Sequence, residues 1–156
     1  LSRHLRSSDR TAIAALVVYG FALSAVMLAA IASGFVGPSI ARQILDGPES
    51  SSAGWKLLMH YNWELNQACT RVFVVGSSVA IALWSASLVR ARALARGIGI
   101  YGLVLSPVTV LALLSGHVEL DVHGFGLIVI GQAIWYLSVG VLLWRCGGED
   151  PRLAST

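Results

Sequence analysis

The chain is short of charge and short of cysteine. Asp, Glu, Lys and Arg make up 12% of its 156 residues, against about 25% in soluble domains. Apolar residues make up 56% and the mean hydropathy is +0.73. A soluble fold of this size could not bury that much apolar surface, so ordinary soluble classes are excluded. The two cysteines exclude a disulfide framework and a paired-cysteine zinc motif. Cys69 and Cys146 fall at opposite ends of apolar runs, about a bilayer apart, far beyond the ~7 Å Cα limit for a bridge. No nucleophile motif, His-x-x-x-His pair or internal repeat occurs. That argues against an intramembrane bis-histidine haem, a complete monomeric secondary transporter and recognisable covalent catalysis.

What the chain has is apolar runs. Four can cross a hydrocarbon core of about 30 Å at about 1.5 Å per residue: Thr11–Phe35, Ala68–Leu88, Ile98–Leu114 and Phe125–Trp144. In lipid the backbone must satisfy its own hydrogen bonds, and runs without strict alternation do so as helices. The expected fold is all-α, an integral membrane protein with four transmembrane helices in one antiparallel bundle, a single domain over residues 1–156 with an outward loop at 37–64. Pro107 removes a donor from the third span and predicts a kink there. A basic start followed by "AIA" at Ala30–Ala32 also resembles a secretory leader, but about 22 apolar residues exceed the usual leader core of about 7–15.

Basic residues give the orientation. Arg3, Arg6, Arg10, Arg90, Arg92, Arg96, Arg145 and Arg152 lie on one side of the spans, against Arg42 and Lys56 on the other. Both termini are expected in the cytoplasm, with the protein in a bacterial inner membrane. The net charge of +3 is thereby spread over topology signals, and no nucleic-acid partner is implied. The bilayer is the one implied partner; beyond it stand a partner membrane protein or a homo-oligomer.

"GIGIYG", Gly97 to Gly102, fits a dinucleotide-binding pattern, but it opens a span and follows no strand. Close helix packing explains it better, as it does the small residues Ala25, Ala29 and Ser33 in the first span and Gly124 and Gly131 in the fourth.

Two polar constellations remain. On the second helix His60, Glu64, Gln67 and Arg71 share an arc of about 60°, continued by Ser78 and Ser85. An ionised side chain at depth costs at least about 2.5–3.5 kcal/mol, so this stripe is expected to face the bundle interior or a cleft open to the outside. Glu64, Gln67, Arg71 and Ser78 form the expected ligand cleft, with Glu119 or Asp121 as acids for Arg71. A bland alternative is a wet helix entrance whose Arg71 snorkels. In "SGHVELDVHG" the residues His117, Glu119, Asp121 and His123 alternate with apolar ones, so an extended strand would place all four on one side. With His60 they offer nitrogen and oxygen ligands suited to zinc or copper. A solvated loop accounts for the same residues.

The expected function is a non-enzymatic membrane protein that binds a small ligand or supports a partner membrane protein through the polar cleft. A metal-binding or redox subunit and a membrane-embedded enzyme or transporter component are the alternatives.

Overall fold

The computed structural model describes residues 2–48, 52–90, 93–116 and 122–147, and among them every regular element is a helix. In chain order these are α1 (Ser2–Ile31), a π turn (Ala32–Val36), α2 (Gly37–Asp46), α3 (Ser52–Leu88), α4 (Ala93–Leu114) and α5 (Val122–Gly147). Among the described residues four stretches are long and apolar enough to cross a membrane: Arg10–Asp46, Ser52–Leu88, Leu94–Leu114 and Gly124–Arg145. The all-helical fold and the number of span-like helices therefore agree with the sequence.

Helix lengths depart from expectation. Arg10–Asp46 and Ser52–Leu88 each run for 37 residues, about 55 Å at the standard rise. The other two, at 21 and 22 residues, just match a hydrocarbon core of about 30 Å. The expected outward loop at 37–64 is correspondingly helical over 37–46 and 52–64. Hydropathy marks lipid crossing, whereas Lys56, Leu57, Leu58, Met59, Glu64, Leu65 and Gln67 are simply good helix formers on either side of a membrane boundary. The break comes at Gly47 and Pro48. Gly47 is extended and its N–H closes back on the Gln43 carbonyl at 3.1 Å, and proline cannot continue the helix.

The π turn has a local cause. Pro38 lacks an N–H and its ring would strike the carbonyl four residues back in a regular α-helix. The backbone widens over Ala32–Val36, and Gly37 N–H reaches the Ala32 carbonyl five residues back. Pro107 has a milder effect. Helix α4 continues through it from Ala93 to Leu114, and Ser106 Oγ donates to the Gly102 carbonyl at 2.8 Å. The helix stops at Gly116, whose φ of +72° suits a left-handed cap and whose N–H meets the Leu113 carbonyl at 3.3 Å.

The chain divides into two compact units. The first comprises residues 16–77. Its core is a row of small side chains on the first long helix, Ala22, Ala25, Ala29 and Ala32, with Ile40 beyond the π turn and Val74 on α3. The approach is close enough that a Cβ at Gly76 would stand 2.8 Å from the Ala22 Cβ. Without a lipid-exclusion force between helices, such contact supplies the packing energy.

The second unit comprises residues 1–15 and 78–156. Here the buried face of α4 is made of Ala95, Gly99, Gly102, Ser106 and Thr109, all small. Ala80, Ile81 and Ser85 from α3 and Ile128, Gln132 and Trp135 from α5 complete the core. A Cβ at Gly99 would meet the Val89 backbone nitrogen at 2.8 Å and the Ser85 carbonyl at 3.0 Å. Gly131 packs against Leu105, and Tyr101 Oη donates to its carbonyl at 3.0 Å. The close-packing reading of "GIGIYG" thus has its contacts at Gly99 and Gly102. Gly97 stands in open space.

Candidate functional site

Helix α3 carries most of the residues in question. His60, Glu64 and Arg71 are exposed, Gln67 is half-buried, and Ser78 and Ser85 are buried. His60, Glu64 and Arg71 therefore lie on a surface of the first unit. His60 Nε2 lies 3.9 Å from Glu64 Oε1 with the two side chains 68% and 56% exposed, and the His60 ring stacks on Trp63 at 6.2 Å. An exposed pair of this kind contributes about 0–1 kcal/mol.

The geometry of α3 explains the placement. Its packed edge in the first unit is Asn62, Asn66 and Thr70, the first and last buried and Asn66 half-buried, a row at i, i+4, i+8 that lies about 130° around the helix from the stripe. Each step of four residues advances about 40°, so the same row continues through Val74 and swings onto the stripe's direction at Ser78. The stripe is buried only from there on, at Ser78 and Ser85.

Along that edge the polar groups are paired. Asn62 Nδ2 donates to the Ala32 carbonyl at 3.1 Å, at the widened backbone of the π turn. Ser33 Oγ lies 2.9 Å from Asn66 Oδ1 and 2.7 Å from the Ala29 carbonyl, and Thr70 Oγ1 donates to the Asn66 carbonyl at 2.8 Å. Sequence reasoning put Ser33 among packing residues and overlooked Asn62, Asn66 and Thr70. Their i+4 spacing opposite a small-residue row on α1 was the available signal.

In the second unit Gln132 Nε2 donates to Ser78 Oγ across a long 3.4 Å. Ser85 Oγ and Trp135 Nε1 are buried without a hydrogen-bond partner among the described residues. Both crowd the point that a Gly102 Cβ would occupy. Trp135 also stacks on Trp84 at 6.2 Å and meets Tyr136 edge-on at 5.2 Å. Gln132 and Trp135 were not singled out from the sequence. Neither sits in a motif, and only packing brings them to α3 and α4.

Of the proposed metal ligands, His60 is exposed on α3, while His117, Glu119 and Asp121 lie outside the described residues. Val122 and His123 belong to α5, which removes them from the expected extended strand; the His123 side chain also lies outside the described residues. No cluster of three ligand-type side chains occurs among the described residues. Cys69 is a half-buried free thiol. An open apolar concavity of about 610 Å³ runs along the first turns of α3, lined by Gly54, Trp55, Leu57, Leu58 and Tyr61. It contains no stripe residue.

No protein-family model, curated protein or solved structure matches the chain.

Proposed function

We propose that the protein is a non-enzymatic docking subunit of the membrane, with four spans crossing in alternating directions, both termini in the cytoplasm, and the α3 stripe covered by a partner membrane protein. One observation carries the reading. His60, Glu64 and Arg71 are exposed on a helix whose neighbouring exposed residues include Val72, Val75 and Val79, the composition of a lipid-facing surface. A guanidinium at the edge of such a surface is retained at a cost of up to about 2.5–3.5 kcal/mol, which a covering protein would offset. A polar ligand cleft formed by Glu64, Gln67, Arg71 and Ser78 has less support, because Ser78 is buried while Glu64 and Arg71 are exposed.

Site-directed photocrosslinking in native membranes tests this. A benzophenone side chain at Glu64, Ala68 or Val75 should yield a protein adduct of constant size, and one at Leu103 or Leu127 should not. Adducts with lipid alone from every position would overturn the docking role. Orientation is read separately, in a chain with Cys69 and Cys146 changed to Ser. An impermeant thiol reagent on intact cells should label Cys placed at Ala53 and spare Cys placed at Arg90; the reverse pattern would invert the topology.

A further inference from the structure

We infer that the partner of the α3 stripe is a different protein, whose own membrane helix carries a carboxylate at the depth of Arg71 and a basic group about two turns further along, facing Glu64. This rests on the docking reading above and names the chemistry of the partner.

The spans themselves supply the argument. Within 11–35, 68–88, 98–114 and 125–144 Arg71 is the single charged residue, and none of these stretches contains Asp or Glu. No apolar span of this chain can therefore offer Arg71 a counter-charge. Arg71 is exposed on the first unit, so its guanidinium is available to a neighbour, and its planar fork favours a bidentate carboxylate over a point contact. Glu64 stands seven residues earlier, about 10 Å along the axis and within about 20° of the same direction. The stripe thus presents one negative and one positive group in fixed order along the helix.

That order discriminates between occupants. A closed two-fold dimer of identically oriented membrane proteins turns about the membrane normal, so each residue keeps its depth. Docking stripe to stripe would bring Arg71 against Arg71 and Glu64 against Glu64, two like-charge meetings. An anionic phospholipid would satisfy Arg71 alone, with the Glu64 carboxylate repelling the next headgroup along the same line. A foreign helix with the opposite order of charges satisfies both groups at once.

The test uses the full chain, labelled at a Cys placed at Ala53 in the Cys69→Ser, Cys146→Ser background and reconstituted in phosphatidylcholine vesicles. Labelled model helices of about 20 Leu and Ala residues carry a Glu positioned for Arg71 and a Lys seven residues away, positioned for Glu64. Energy transfer reads association. The Glu/Lys helix should bind at least about tenfold more tightly than its Gln/Gln counterpart, a difference of about 1.4 kcal/mol, and Arg71→Gln should erase that preference. Arg71→Glu should instead favour a helix with Arg in place of its Glu, a rescue that a misfolded chain cannot give. Equal binding of the Glu/Lys and Gln/Gln helices would overturn the charge inference while leaving stripe-specific crosslinks, and hence the docking reading, intact. Transfer between two labelled copies of this chain that disappears with Arg71→Gln would overturn it in favour of self-association. A preference that vanishes only when phosphatidylglycerol is added would assign Arg71 to lipid and overturn it as well.

Discussion

Helices approach closely in both units, but by different means. In residues 16–77 the helices that meet at Ala22 and Gly76 also join, about three turns further along, through paired polar groups, Asn62 on the Ala32 carbonyl and Ser33 on Asn66. In residues 78–156 the contact at Gly99 and Gly102 is tighter, yet Ser85 Oγ and Trp135 Nε1 are buried beside it with no hydrogen-bond partner among the described residues. Steric fit therefore dominates the second contact, while hydrogen bonds fix the first. Polar content alone does not distinguish them, since both cores contain serine and amide side chains. The difference is whether each polar atom has somewhere to point.

The largest effect is expected at the steric contact. Gly99→Ala places a methyl group against the backbone of Ser85 and Val89, neither of which can rotate away, so a loss of about 1–3 kcal/mol is expected. Gly97→Ala, in the same motif but in open space, should leave the thermal midpoint in detergent unchanged or raise it by the helix-propensity gain of up to about 1 kcal/mol. Equal midpoints for the two variants would mean that the close approach at Gly99 does not hold the second unit together.

A smaller loss is expected at the hydrogen-bonded contact. Asn62→Ala removes the donor to the Ala32 carbonyl and should cost about 1 kcal/mol, seen as earlier unfolding and as faster amide exchange around Ala32–Val36. Unchanged exchange there would remove Asn62 from any role in holding the π turn.

The smallest change carries the opposite sign. Ser85→Ala deletes a buried oxygen that makes no bond, so stability should stay level or rise by a few tenths of a kcal/mol, consistent with the near-neutral result of replacing polar atoms that have no partner. A drop of more than about 1 kcal/mol would show that Ser85 Oγ makes a stabilising bond, and the contrast between the units would disappear.

The fold class was legible because apolar run length is a direct physical requirement of the bilayer. The helical extent of 37–64 was not, since the same hydropathy that marks Ala68–Leu88 falls away at residues such as Lys56, Asn62 and Glu64, which still favour or tolerate helix. On α3 the stripe could be read by angle from His60 to Arg71. Angle alone could not say which way it faces, because the opposite edge, Asn62, Asn66 and Thr70, is polar too. Only the packing of α1 chooses between them, by offering Ser33 and the Ala32 carbonyl to one edge. The acids and imidazoles at His117, Glu119 and Asp121 lie outside the described residues, so that constellation stands where the sequence left it.

The π turn also has a consequence for helical phase. Ala15, Ala22 and Ala29 recur every seven residues, as do Ala25 and Ala32, but the next buried residue, Ile40, comes eight after Ala32. On a straight helix Ile40 would stand 18 residues from Ala22, about five full turns, and so directly in line with it. The wide turn takes up one residue more than a regular turn and rotates α2 back by about 100°, so that Ile40 instead continues the drift of about 20° that leads from Ala25 to Ala32. Deleting one residue among Gly34, Phe35 and Val36 should therefore be tolerated apart from a kink at Pro38, because a regular helix would then carry Ile40 in the direction the wide turn now gives it. Deleting Val26 should not be, because the alanines before and after it would no longer share a face. Comparable expression and midpoints for the two deletions would show that the register of this helix is not what the turn preserves.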